Sequence, residues 1–420
     1  MKVRPDLLDA QSPPGLEVVQ LTDEPGVPHS HIYMEAPIFA PDSRRFLLHR
    51  SAHAHGSRQD DPEHRYLVCD LENGCALTPV TEEIGATAPA VSPDGTWVYY
   101  FVNQTKVGGG GRLTLKRVGL DGTRRETLLV LDTPLPGTRF WPSRIYPLAT
   151  ISADGRCLAL PAFLGDGQTQ GAPWGLMVFD LAADEVRLIL HGPTWCNLHP
   201  QYCRSTDPET SRDILVQENH DNLTDAGGNV RKLVGGLGAD IHLIRDDGTN
   251  LRNLPWGRDG EEHCQGHQCW WGCSTWAITS TNLRTQNTHH LVAGTAASFA
   301  GHIGRQTPGG VRLELSRDFT CPQFCHFSTD LAGRRLVADT FPADEGGRLL
   351  FATLPPPESA GRLPDTAVLS NVRFLLKPRC DWKKKAHPHA FLSPDGTKAF
   401  FNSDESGVLQ AYMIRGLDAI

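Results

Sequence analysis

The chain has 420 residues, 39% hydrophobic and 21% charged, with a formal net charge of −8. That balance excludes the basic footprint of a nucleic-acid binder or of a protein held on anionic lipid. No apolar run approaches the roughly 20 residues that span a bilayer, and MKVRPDLLDAQ at the start lacks the apolar core of a secretory signal, so a cytoplasmic location is expected.

In chain order, one unit recurs: an apolar stretch, then Ser-x-Asp-Gly or a variant, then an alternating apolar strand. Its first copy is Ala40-Pro41-Asp42-Ser43 before RRFLLHR, followed by Ser92-Pro93-Asp94-Gly95 before TWVYYF and Ser152-Ala153-Asp154-Gly155 before RCLALPAF. Weaker copies are Ser205-Thr206-Asp207 before DILVQE, Gly272-Cys273-Ser274 before TWAITS, and Ser328-Thr329-Asp330 before GRRLVAD. Ser393-Pro394-Asp395-Gly396 before TKAFFNS is the last. Asp-Gly is the tight-hairpin signal between antiparallel strands. Seven copies, spaced by roughly 50 to 65 residues, suit four-stranded propeller blades. The expected fold is all-β, a seven-bladed β-propeller forming one domain over residues 1–420. The last blade has three strands of its own, so LEVVQLTD (residues 16–23) is expected to complete it and close the ring.

Loops approaching each inner strand and leaving each second strand fall on one face, and the histidines concentrate there. Aligned on the Asp-Gly turn, His199 and His387 share one position, while His267 and His389 share the next but one. His29, His31, His49, His53 and His55 belong to the same face of blade one, and His220 leaves the second strand of blade four. A lone loop histidine is ordinarily a hydrogen-bonded surface residue; three blades aiming imidazoles at one axis point to a metal. His267, His387 and His389 are the first candidates, suiting manganese, iron, nickel or zinc. The eleven cysteines include Cys264, Cys269 and Cys273, whose spacing misses the paired C-x2-C knuckles of structural zinc. Free thiols are expected there, with a further metal site or a disulfide as alternatives.

At these residues the chain resembles the oligogalacturonate lyases, seven-bladed propellers that cleave uronic-acid oligosaccharides. The likeness runs from VVQLTD and HSHIYMEAPIFAPDS through LHPQY, the His220 loop and Cys264-Gln265-Gly266-His267 to HPHAFLSPDGTKAFFNSDESG, its most specific stretch. The resemblance implies that His267, His387 and His389 ligate a divalent ion, typically Mn2+, and that His220 is the base removing the C5 proton of a uronate. His199 would then be an auxiliary or substrate-orienting group. The family places a glutamine ligand three residues before His-x-His, where this chain has Lys384. A protonated lysine is a poor ligand, so Gln201, Gln268 and Glu262 are possible substitutes. Lys384, within Trp382-Lys383-Lys384-Lys385, suits the carboxylates of an acidic oligosaccharide instead. Arg187 and Arg204 lie in the region of the family's catalytic arginine, and His53 and His55 face the site from across the channel. The expected activity is therefore metal-assisted β-elimination on a uronate-containing glycan. The alternative is a non-catalytic, TolB-like binding propeller, since fold alone does not decide function.

Overall fold

Short turns organise the chain, and their chemistry explains the motif. In the computed structural model, which describes residues 1–256, 262–283, 289–296, 310–316, 324–340, 347–363, 368–382 and 386–420, Ser92, Ser152 and Ser393 each open one. Their backbone N–H groups donate to the carbonyls of Trp97, Cys157 and Lys398 at 2.8, 2.9 and 2.9 Å. Their hydroxyls bond Asp94, Asp154 and Asp395 two residues on, at 2.5, 2.6 and 2.5 Å. Gly95, Gly155 and Gly396 hold φ of 69°, 72° and 70°, a left-handed conformation that only glycine adopts without penalty.

Each turn joins an inner strand to a second strand, and a third and fourth follow outward. The second unit shows the pattern plainly: Ala86–Val91, Trp97–Thr105, Gly111–Gly119 and Glu126–Leu131 pair antiparallel in that order. Seven such units follow one another among the described residues, giving an all-β, multi-sheet, propeller-like architecture. Units four and five share one eight-stranded sheet through the pair Ala239–Cys264. Apolar residues from facing sheets fill the spaces between units, as Phe46, Tyr66 and Phe400 do near the first unit.

Two turns differ from their expected places. In unit six the opener is Asp330 itself: its N–H donates to the Arg335 carbonyl at 3.3 Å and its carbonyl accepts from Gly333 N–H at 3.1 Å. The turn therefore starts where the motif placed its third residue. In unit four Cys203 donates to the Asp213 carbonyl at 2.8 Å, and the intervening loop carries a short 3-10 helix over Thr210–Arg212. Both shifts move the register of the preceding inner strand relative to the others.

The N-terminal strand Glu17–Gln20 pairs with Gln410–Arg415 through Val18–Ile414 and Val19–Met413, completing the last unit's sheet. Arg4 fastens this junction, donating to Glu405 at 2.5 Å and to Gln20 at 3.0 Å. The last unit also bonds the first: His31 N–H donates to Asn402 Oδ1 at 2.7 Å, and Asp395 N–H to Ser43 Oγ at 3.0 Å. Val18 is fully buried, so Val18→Asp sets an unpaired carboxylate in that seam. A loss of about 3 kcal/mol or more is expected in denaturant unfolding; an unchanged midpoint would contradict the strand's part in holding that sheet.

Three of the first unit's histidines serve the core instead of the face. His31 lies against Phe46, Phe391 and Phe400 with ring centroids at 5.6, 5.1 and 5.5 Å. Burial pushes it down to about 3 and His64 to about 4, and lowers His49 well below the ordinary 6.5. Between pH 6.5 and 4 the unfolded chain binds protons that these rings refuse when folded, so stability rises with pH across that window. Acidification from pH 7 to 5 should lower the thermal midpoint, and His64→Gln should flatten the dependence.

Candidate metal centre

Four histidines occupy one structural position. His199, His267, His326 and His389 each stand four residues before the turn openers Cys203, Trp271, Asp330 and Ser393. At this position the inner strand departs from regular pairing. His199 and His389 have φ of 44° and 49°, and Gly266, with φ of 89°, precedes His267. In units five and six the register slips between Cys264 and Gln268 and between Phe324 and Phe327. Such bulges re-aim a side chain out of strand alternation, and here they turn imidazoles from consecutive units into one interior.

The rings meet there. His267 and His326 have centroids 4.5 Å apart, His326 and His389 4.4 Å, and His199 and His267 6.3 Å. His387 adds a ring 5.5 Å from His389, and His55 approaches His387 at 4.6 Å. Tyr33 of unit one lies 4.9 Å from His389 and 5.3 Å from His199, so the cluster is spanned from the opposite side. Two sets of donor atoms lie within 4.8 Å of one another here: His55 with His387 and His389, and His267 with Cys325 and His326.

Protonation and hydrogen bonding suit ligation. Burial, reinforced by neighbouring rings, holds His267 and His389 well below the ordinary histidine value and brings His387 to about 4, so all three are neutral. His267 Nδ1 and His389 Nε2 are buried without a hydrogen-bond partner among the described residues, each an uncompensated desolvation of about 1–3 kcal/mol. His326 Nδ1 is held by both oxygens of Asp339 at 3.0 and 3.1 Å, leaving Nε2 directed elsewhere. A carboxylate behind a ligating imidazole fixes its orientation and raises its basicity. The residues present therefore fit a divalent transition ion. Cys325, 3.7 Å from His326 Nε2, is raised well above its ordinary value by burial and stays a thiol.

His199 differs from the other rings. Its Nδ1 lies 2.5 Å from Glu35 Oε2 and its Nε2 3.0 Å from the Tyr146 hydroxyl, which bonds Asn197 at 2.9 Å. Glu35 is buried, and that burial raises its carboxyl. The result is a hydrogen-bonded chain, Glu35–His199–Tyr146–Asn197, beside the ring cluster.

The other sequence candidates fall in distinct places. Gln201 Nε2 donates to the Gln268 carbonyl at 2.7 Å, and Gln268 Nε2 to the His199 carbonyl at 3.1 Å, tying units four and five beneath the rings. Arg204 lies at the turn end, bonding the Thr329 carbonyl at 3.3 Å. Gln201, Arg204 and Glu35 all line a cavity of about 420 Å³ on that side. His53 lies in the short exposed hairpin Ala52–His53 and Gly56–Ser57, which brings His55 to His387. Glu262 is paired with Arg312 at 2.7 Å, away from the rings. His220 sits in unit four, its Nε2 2.9 Å from Asp240 Oδ2, and makes none of the ring contacts among the described residues. Lys384 lies outside the described residues. His326 was not singled out from the sequence, nor were Glu35 and Asp339; aligning unit six on Asp330 as opener is the signal that finds the histidine.

Fold and site together define an all-β, propeller-like chain with a buried multi-histidine centre suited to a divalent metal. No protein-family model and no curated protein sequence matches the chain. Among solved structures, an oligogalacturonate lyase in complex with manganese superposes with a TM-score of 0.68 at 19% identity, covering 97% of this chain and 94% of the other. An oligogalacturonate lyase from Vibrio parahaemolyticus gives 0.65 at 16% identity, covering 96% and 95%. A xyloglucanase from Xanthomonas campestris gives 0.50 at 15% identity, covering 92% of this chain and 52% of that one. The chain thus has the fold of the oligogalacturonate lyases along nearly its whole length, at the identity of a divergent relative.

Asp339→Asn should weaken binding of Mn2+ or Co2+ by about 10–100-fold through loss of the support to His326. Equilibrium dialysis measures this; unchanged affinity would remove His326 from the site.

Proposed function

We propose that this chain is a metal-dependent lyase cleaving a uronate-containing oligosaccharide by β-elimination, on a single-domain, seven-bladed propeller closed by its N-terminal strand. The observation that carries the reading is the meeting of four imidazoles, with His267, His387 and His389 neutral and His326 held by Asp339. A divalent ion, Mn2+ by analogy with the lyase structure, would be held by these rings. When bound, it would neutralise the uronate carboxylate and stabilise charge developing next to it.

The reaction asks three things of the protein's own groups. The carboxylate must be oriented, the C5 proton accepted, and the 4-linked oxygen allowed to leave so that a C4=C5 double bond remains. His199 is assigned the proton: Glu35 holds Nδ1, and Nε2, which meets the Tyr146 hydroxyl, accepts the C5 proton once the substrate displaces that hydroxyl. Positioned general bases contribute about 10²–10⁴-fold. The proton can return to the departing oxygen, so no other reagent is consumed. His220 is the base by family resemblance, and its Asp240 partner orients it similarly. His53 and His55, in the hairpin beside His387, and Lys384 are assigned to the acidic oligosaccharide. Gln201 and Arg204 are assigned to the inner wall of the channel.

The test is ultraviolet absorbance of an unsaturated uronate, screened across acidic oligosaccharides with the Mn2+-loaded protein. Product formation should vanish on chelation and in His389→Ala, and His199→Ala should lower kcat by about 100-fold or more with metal retained. If His220→Ala abolishes turnover while His199→Ala does not, the base is His220. No product from any uronate with metal bound would overturn the activity.

A further inference from the structure

A second group of ligand-type side chains lies in unit four, apart from the rings described above. The second strand Asp213–Asn219 and the third strand Ala239–Arg245 pair with Glu218 opposite Asp240 and Val216 opposite His242. Strand alternation sets Glu218, Asp240 and His242 on the face shared with Val216 and Ile244, which packs towards unit three. His220, just past the second strand, joins them. His220 Nε2 is 2.9 Å from Asp240 Oδ2 and 3.8 Å from Glu218 Oε2, and His242 Nε2 is 3.2 Å from Glu218 Oε2. Glu218, His220 and Asp240 offer donor atoms that all lie within 4.8 Å of one another. Donors about 2.0–2.2 Å from a tetrahedral ion stand about 3.3–3.6 Å apart, and the three measured separations bracket that spacing.

The surrounding hydrogen bonds point the same way. His242 Nδ1 lies 2.7 Å from Asn253 Oδ1. His242 thus meets Asn253 with one ring nitrogen and Glu218 with the other. Thr194 Oγ1 donates to the other Glu218 oxygen at 2.6 Å. Both are supports that ligating side chains ordinarily have. Two carboxylates and an imidazole thus converge in a largely buried pocket, a donor set of the kind that holds a divalent ion.

We propose that Glu218, His220 and Asp240 form a second divalent-cation site, of mixed nitrogen and oxygen donors suited to zinc or a neighbouring transition ion, with His242 holding Glu218 in place. Its place suggests its role. His220 begins and Asp240 follows the excursion 221–238, whose ends meet where His220 N–H donates to the Gly238 carbonyl at 3.2 Å and Gly235 N–H to the His220 carbonyl at 2.6 Å. An ion there clips the base of this excursion, which packs on unit three through Arg144 and Asn229. The inference does not depend on the uronate reading, but it makes His220 a ligand and so excludes it as the base of that reaction.

The experiment counts metal in the full chain, stripped with chelator, reloaded with Zn2+ and freed of excess. Two ions per chain are expected in the wild type. Glu218→Gln and Asp240→Asn should each remove one, and His389→Ala should remove the other. A count that Glu218→Gln and Asp240→Asn leave at the wild-type value overturns the proposal. A count reduced by these two but untouched by His389→Ala supports it and argues against the first centre instead. Should both variants fail to fold, limited proteolysis of the wild type decides: cleavage within 221–238 should slow at least several-fold with Zn2+, and an unchanged rate overturns the proposal.

Discussion

The centre depends on one backbone constraint: the inner strand of each unit must break its alternation four residues before its turn. An L-residue held at φ near 45° costs on the order of 1–3 kcal/mol and persists only where its surroundings fix it. For His199 the fixing group is Glu35, which comes from unit one, far along the chain. For His389 it is the next residue, whose N–H donates to Asp339 at 3.1 Å. Ala88 of unit two adopts the same conformation, at φ 49°, so the bulge belongs to the fold and the histidines exploit it. Strained backbone bearing buried, neutral imidazoles is a pattern of functional sites.

Asp339 is the second determinant. It is fully buried, and it receives the His326 ring, the His326 N–H and the Ala390 N–H. Units six and seven are thereby locked together at the point where their histidines meet. Among the described residues no lysine or arginine bonds this carboxylate. A buried carboxylate bonded by amides and an imidazole fixes the orientation of that ring within the cluster.

The strand framework was legible because turn chemistry and period-two patterning agree in most units. Ser92, Ser152 and Ser393 open turns where the motif places them, and LEVVQLTD supplies the strand that completes the last sheet. The site was legible in part. Placing the histidines by Asp residues assigned His199 to the register of His387 and left His326 unaligned. The cause is physical: unit four inserts a longer loop after Cys203, and unit six uses Asp330 as opener, with Gly333 completing the turn. Sequence shows a turn's letters; the hydrogen bond that closes it shows its register. The same limit hid Glu35, whose role arises from a contact between residues 164 positions apart.

Seen by register, the interior is two-sided. Units one to three carry Ala36, Ala88 and Leu148 at the position where units four to seven carry histidine. The inner-strand donors therefore come from units four to seven, and His55 joins them from the hairpin of unit one. Structural metal sites are closed on all sides, whereas catalytic ones keep a position for water or substrate. The group in unit four has the opposite character, with carboxylates and imidazoles converging between two paired strands and supported from behind by Thr194 and Asn253. The first cluster is drawn from the inner strands of several units, the second from two paired strands of one unit lying against its neighbour.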